Sequence, residues 1–295
     1  MMKFEGIMPA LVTPLDENER INVPVLHSLI DFLMNKGADG FYVGGATGEG
    51  LALRLSERII LAEESMKAIN KKCPCIIQVA STSFNDAIDL AKHAESIGAD
   101  AISATPPLFF GYDEHDVYEY YKRLAGAVHI PVMIYYNPAA GFKFNAKIAA
   151  KMFEVDNITA IKWTSSDYFE MIRLKDLTHG EMNIINGPDE MLLMGLCAGA
   201  DGGIGTTYNY MFDIIKGVYD NYVKGDLAKA REMQNKADRI IGEMKNYRAI
   251  PATKAILEHM GFAVGYPSFP MKQYDEKTKR EVFEAAKNAG LNEYL

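Results

Sequence analysis

The chain has 295 residues, 48% hydrophobic and 24% charged, enough for one large core or two small ones without covalent staples. A formal net charge of −8 and a pI near 5.4 exclude a nucleic-acid or anionic-membrane surface, since both partners need a basic footprint. Cys73, Cys75 and Cys197 form no metal or redox spacing and are expected to be buried thiols; with no convincing signal peptide and no apolar run of membrane-spanning length, the expected location is the cytoplasm.

In chain order, short apolar, β-rich runs alternate with amphipathic stretches of helical length. The runs are GIMPALVTP (6–14), GFYVGGATGE (40–49), PCIIQVAST (74–82), DAISATPP (100–107), PVMIYYNP (131–138), ITAIKWTS (158–165), MNIINGPDE (182–190) and DGGIGTT (201–207). Between them, stretches from Ser56, Asn85 and Glu114 carry apolar residues at helical spacing, and glycines in NKGADG, SIGAD and CAGADG predict left-handed caps before the next strand. Alternation through eight units predicts an α/β fold of the closed (β/α)8 TIM-barrel type. After residue 208 only helical patterns follow. No Ser/Gly/Pro-rich linker separates them, so residues 1–225 are expected to form the barrel and 226–295 a C-terminal helical extension packed on it.

The segment TAIKWTSSD (159–167) places Lys162 at the end of an apolar strand. A lysine there is costly to desolvate unless it is neutral, paired or used covalently. The ordinary alternative is a buried stem whose ammonium reaches water. Active sites of TIM barrels lie at the carboxyl ends of the strands, and the same end receives Thr47-Gly48-Glu49, Tyr135-Tyr136-Asn137, Asp189-Glu190 and Thr206-Thr207. Burial favours the neutral amine, which attacks ketones to form a Schiff base. No His/Asp/Glu set has ligand spacing, so neither a metal nor another cofactor is expected.

GGATGE (44–49), YYNP (135–138), IKWTS (161–165), NGPDE (186–190) and GADGGIGTTYN (199–209) occur in register at these ends. Together they closely resemble the dihydrodipicolinate synthase and N-acetylneuraminate lyase family of pyruvate-dependent aldolases. The resemblance spans nearly the whole chain. It implies an imine between Lys162 and pyruvate, a carboxylate held by the Ala46 and Thr47 amides and the Thr47 hydroxyl, and proton transfer by Tyr135. Adjacent strand residues face opposite ways, so Tyr136 is the alternative to Tyr135. Asp189 and Glu190, with Gly187, Thr164 and Thr206, would bind a polyhydroxylated substrate as in the N-acetylneuraminate lyase branch. Asp189-Glu190 reads equally as a helix N-cap before MLLMGLCAG.

The chain departs from the family at two places. Ala46 stands where the family carries Ser or Thr, and Phe109 or Phe110 replaces a tyrosine that completes a hydroxyl relay, with Tyr112 displaced. NPAAGFKF also lacks the arginine expected of dihydrodipicolinate synthases, Lys143 being a poorer carboxylate clamp. The expected activity is a Schiff-base lyase joining or releasing pyruvate and a sugar-acid or aldehyde partner, best matched to N-acetylneuraminate. A 2-keto-3-deoxy sugar acid aldolase, a dihydrodipicolinate synthase-like enzyme and a non-catalytic carbonyl-binding relative are the alternatives. The resemblance further implies a homotetramer with the aromatic segment after strand 4 at a tight-dimer contact.

Overall fold

The eight apolar runs fold as eight parallel strands, β1 (Gly6–Pro9), β2 (Phe41–Val43), β3 (Cys75–Gln78), β4 (Ala101–Ala104), β5 (Val132–Tyr136), β6 (Ile158–Trp163), β7 (Asn183–Asn186) and β8 (Gly202–Gly205). The computed structural model describes residues 3–294. The strands lie in the order β1-β8-β7-β6-β5-β4-β3-β2, and a parallel bridge between Ala10 and Tyr42 joins the two ends. There the Leu11 N–H donates to the Tyr42 carbonyl at 2.9 Å. The architecture is the expected TIM barrel.

Helices α1 (Val23–Asn35), α2 (Leu55–Ile69), α3 (Phe84–Ser96), α4 (Glu114–Ala125), α5 (Ala146–Phe153), α6 (Tyr168–Leu177), α7 (Leu192–Cys197) and α8 (Phe212–Val223) follow the strands in turn. Their starts are written locally. Asp113, for example, accepts from the Asp116 N–H at 3.0 Å while the Asp116 carboxylate accepts from the Asp113 N–H, a capping box at α4. Gly37, Gly98 and Gly199 all take positive φ, as the cap motifs predict. Cys75 is buried in β3, but Cys197 ends the short α7 and is exposed, which corrects the expectation that all three thiols are buried.

Strand parity divides the core in two. Met8, Tyr42, Ile76, Ala101, Met133, Tyr135, Ala160, Ile185 and Ile204 fill the barrel, whereas Ile161, Trp163 and Tyr136 face the helices. Trp163 is fully buried with its ring 4.7 Å from that of Tyr136. Lys162, between Ile161 and Trp163, therefore shares the inner face with Ala160.

Three more helices, α9 (Leu227–Met244), α10 (Ala249–His259) and α11 (Glu276–Asn288), follow α8. Lys254 of α10 pairs with Glu49 of the loop after β2 at 2.8 Å, both side chains being almost completely buried. Lys254 Nζ also donates to the Tyr266 carbonyl at 2.8 Å, and the Glu49 carboxylate accepts from the Ser268 N–H at 2.5 Å. These contacts fix α10 and the segment after it over the mouth of the barrel. Among the described residues, no helix is long and apolar enough to cross a membrane.

Candidate active site

Lys162 is 6% exposed, so the reading in which its ammonium reaches bulk water fails. Its Nζ lies over the rings of Tyr135, at 4.3 Å from the centroid, and Tyr42, at 5.2 Å. Tyr135 is its register partner on β5. Tyr136 points outward against Trp163 and Phe144, so parity decides between the two tyrosines in favour of Tyr135 as the one inside the barrel. Tyr42 donates its hydroxyl hydrogen to Ser103 Oγ at 3.0 Å. Burial pushes its ionisation far above the ordinary tyrosine range, so it stays a neutral wall beside the amine.

The turn after β2 brings Ala46 to the surface and buries Thr47. Among the described residues, the N–H groups of Ala46 and Thr47 have no carbonyl or side-chain acceptor, which leaves adjacent donors available to an anion. Thr47 Oγ1 lies 2.6 Å from Thr206 Oγ1, tying this turn to the end of β8.

Thr164, Gly187, Asp189, Glu190 and Thr206 border one cleft of 610 Å³. Thr164 Oγ1 is buried without a partner, and a Cβ on Gly187 would sit 2.0 Å from it, so only glycine leaves that hydroxyl room. Glu190 lies at the rim, 3.1 Å from Lys245. Asp189 does not cap the helix that follows it, contrary to the capping alternative. Its Oδ2 instead accepts from both the backbone N–H and the hydroxyl of Thr207, each at 2.8 Å. Oδ1 packs where a Cβ on Gly205 would be 2.0 Å away. Burial pushes the Asp189 carboxyl up to about 6, opposed by the two Thr207 hydrogen bonds and the charge of Lys162.

A second cavity of 250 Å³ is bordered by Ala46, Glu49, Gln78, Thr105, Tyr135, Ile250 and Met271. Helix α10 thus roofs both spaces, with Ile250 on this one and Ala249, Ala252 and Thr253 on the larger cleft. Sequence reasoning missed Tyr42, Gln78, Ser103 and Thr105. The parity that selects Tyr135 would have found them, since each shares a strand face with a barrel-filling residue. Thr207 was placed at the strand-8 end without its link to Asp189, and the α10 roof carried no such signal. Among the described residues, no group of three His, Cys, Asp or Glu side chains is arranged to hold a metal ion.

The model of the Dihydrodipicolinate synthetase family matches residues 3–289. The chain belongs to this family. Within it, the chain is 34% identical to the N-acetylneuraminate lyase of Rhizobium meliloti (strain 1021) over 284 residues, covering 96% of this chain and 95% of that protein. It is 31% identical to the N-acetylneuraminate lyase of Salmonella agona (strain SL483) over 277 residues, 93% of each. Among solved structures it superposes on N-acetylneuraminate lyase from Aliivibrio salmonicida with a TM-score of 0.94 at 27% identity, covering 99% of this chain and 98% of that one. CdNal from Clostridium difficile in complex with mannosamine gives 0.93 at 28% identity, with both chains fully covered. The protein is an enzyme of the pyruvate-aldolase class to which this family belongs.

Proposed function

We propose that the protein is a cytoplasmic N-acetylneuraminate lyase-like enzyme in which Lys162 is the Schiff-base nucleophile. The observation that carries the reading is the placement of Lys162. It is buried at the carboxyl end of an inner strand, set against two tyrosine rings, and has no carboxylate partner among the described residues. The cleft bordered by Thr164, two residues on, and by Asp189 opens at the same strand ends.

The amine attacks C2 of the 2-keto acid, whose carboxylate lies on the Ala46 and Thr47 amides and the Thr47 hydroxyl. The C2 oxygen takes up protons and leaves as water, giving the protonated imine. As the C4 hydroxyl loses its proton, the C3–C4 bond breaks and its electron pair moves into the imine, which becomes an enamine while C4 becomes an aldehyde. Protonation at C3 and hydrolysis return pyruvate and free Lys162. Tyr135, against the amine, serves these proton transfers. Thr164, Asp189, Glu190 and Thr206, with the backbone at Gly187, bind the hydroxylated remainder. No further cofactor enters this scheme. Lys143, the nearest counterpart of the synthase arginine, is exposed, which supports the sugar-acid reading over a dihydrodipicolinate synthase.

The assembly proposed is a homotetramer. Phe109 and Phe110 are 90% and 69% exposed and pack on each other at 5.1 Å, an apolar pair suited to a neighbouring subunit. Light scattering across a dilution series should hold at four subunits; a monomer at micromolar concentration contradicts the assembly. Pyruvate release from N-acetylneuraminate and from 2-keto-3-deoxy sugar acids, read beside condensation of pyruvate with aspartate semialdehyde, tests the activity. Release from N-acetylneuraminate is expected. Condensation alone would make the enzyme a synthase, and no turnover on any of them would overturn the reading.

A further inference from the structure

Asp189 stands in a turn that its own sequence leaves loose. Pro188 precedes a single turn of 3₁₀ helix, Asp189–Met191, and neither this turn nor α7 after it has a side-chain cap from the residue before it. Thr207 holds the Asp189 carboxylate through Oδ2, but a held side chain is only as well placed as the backbone that carries it. Oδ1 accepts no hydrogen bond among the described residues, and it is not sealed from solvent. Since Asp189 borders the 610 Å³ cleft, Oδ1 is the oxygen free to meet a ligand there. Its reach into the cleft depends on what fixes the turn.

The fastening comes from outside the barrel, from Gln234 of α9, whose side chain is buried. Its Oε1 accepts from the Leu193 N–H at 2.9 Å, while its Nε2 donates to the Asp189 carbonyl at 3.2 Å and to Asp238 Oδ1 at 2.9 Å. These partners settle which end of the amide is which, because a backbone N–H can meet only the oxygen and a carbonyl or carboxylate only the NH2. Leu193 is the second residue of α7, so the acceptor half caps a helix start that lacks a local cap. The donor half ties down the backbone of Asp189 itself. A methionine would fill the same space with less desolvation, so what the buried amide adds is geometry.

We infer that Gln234 is a positioning residue for Asp189: by holding the Asp189 carbonyl from the C-terminal extension, it sets where Asp189 Oδ1 meets the hydroxyls of the sugar-acid remainder. The inference rests on the reading of Asp189 as a sugar-acid ligand given above. It assigns Gln234 no contact with substrate and no proton transfer. It also leaves alone the pyruvate half of the site, formed by Lys162, Tyr135 and the Ala46-Thr47 turn.

Wild type, Gln234→Met and Gln234→Glu are compared in two assays. One is pyruvate release from N-acetylneuraminate and from 2-keto-3-deoxy sugar acids; the other is borohydride trapping of pyruvate on Lys162, which does not call on Asp189. Gln234→Met removes both halves of the amide at similar volume. Gln234→Glu keeps an acceptor for the Leu193 N–H but has no hydrogen for the Asp189 carbonyl, since even a protonated carboxyl gives its single hydrogen to the stronger acceptor, the Asp238 carboxylate. Both variants should lower kcat/KM on the best sugar acid about tenfold, the worth of roughly one hydrogen bond, and mainly through KM. Half-saturating pyruvate in the trapping assay should stay within about twofold of wild type. A Gln234→Glu equal to wild type beside an impaired Gln234→Met would reduce Gln234 to a cap for α7. Equal losses in both assays, or variants that do not fold, would reduce it to a stabilising contact, and unchanged kcat/KM in both would remove it from the site. Each of these results overturns the inference while the sugar-acid reading stands. A wild type that traps pyruvate on Lys162 but releases it from none of these acids would overturn the sugar-acid reading and this inference together.

Discussion

Lys162 and Lys254 are both buried at the mouth of the barrel, 6% and 2% exposed, and the fold treats them in opposite ways. Lys254 receives a buried carboxylate at 2.8 Å and a backbone carbonyl, the partners a retained ammonium needs. Burial still lowers its pKa, with Glu49 pulling the other way. Lys162 receives two aromatic faces, and the cleft bordered by Thr164 and Asp189 opens at the same strand ends. The difference teaches that burial alone does not mark a reactive lysine. What marks one is burial without a partner beside a space that can hold a substrate, whereas the paired lysine holds that space in shape by fastening α10 to the Glu49 turn.

The largest effect that would break this contrast is on turnover. Lys162→Ala should lower lyase activity by at least about 10³-fold with the fold intact, and Lys162→Arg should do no better, because a guanidinium stays protonated. Equal activity in either variant, measured as pyruvate release, would remove the distinction. Lys254→Ala should fail in the other currency. It strands the Glu49 carboxylate in a dry site and should cost about 3–5 kcal/mol in denaturant unfolding, while Lys254→Met combined with Glu49→Gln should recover most of it. A Lys254→Ala protein as stable as wild type would mean that the pair does not hold the mouth.

Asp189 sharpens the contrast at intermediate size, since it is a buried acid held by Thr207 with Lys162 as the nearby positive charge. It binds its proton more tightly in the folded state than in the unfolded one. The resulting stability is present in full below the ordinary carboxyl range and is lost as pH rises through about 6. From about pH 4 to about pH 7, wild type should therefore lose about 2 kcal/mol relative to Asp189→Asn, read from paired denaturant titrations. A pH-independent difference would show that the carboxyl is not held in that way. The smallest effect concerns Ala46. Ala46→Ser adds a hydroxyl to the cavity beside Tyr135 and should raise turnover a few-fold if proton transfer limits it; the steady-state kcat decides.

The barrel, its helices and the position of Lys162 and Tyr135 at strand ends were legible because strand period and position follow from local sequence, whereas which of Tyr135 and Tyr136 faces inward was left open there. The same parity assigns Tyr136 and Trp163 to the outer layer. Asp189 was not legible, because a carboxylate before a helix has the same local pattern whether it caps that helix or, as here, reaches across to Thr207. Nor was the pairing of Glu49 with Lys254, which depends on how the C-terminal helices pack over the barrel. Cys197 was misjudged for a related reason: the absence of metal or redox spacing does not say which face of a helix a thiol takes, and Cys197 lies three residues after the exposed Met194, on the outer face of α7.

The most direct test compares the two lysines in one tube. The enzyme is incubated with saturating pyruvate, reduced with borohydride and digested, and the peptides bearing Lys162 and Lys254 are measured by mass spectrometry. The account predicts a stoichiometric pyruvate-derived adduct on Lys162 and none on Lys254. An unmodified Lys162, or labelling of both lysines alike, would contradict it.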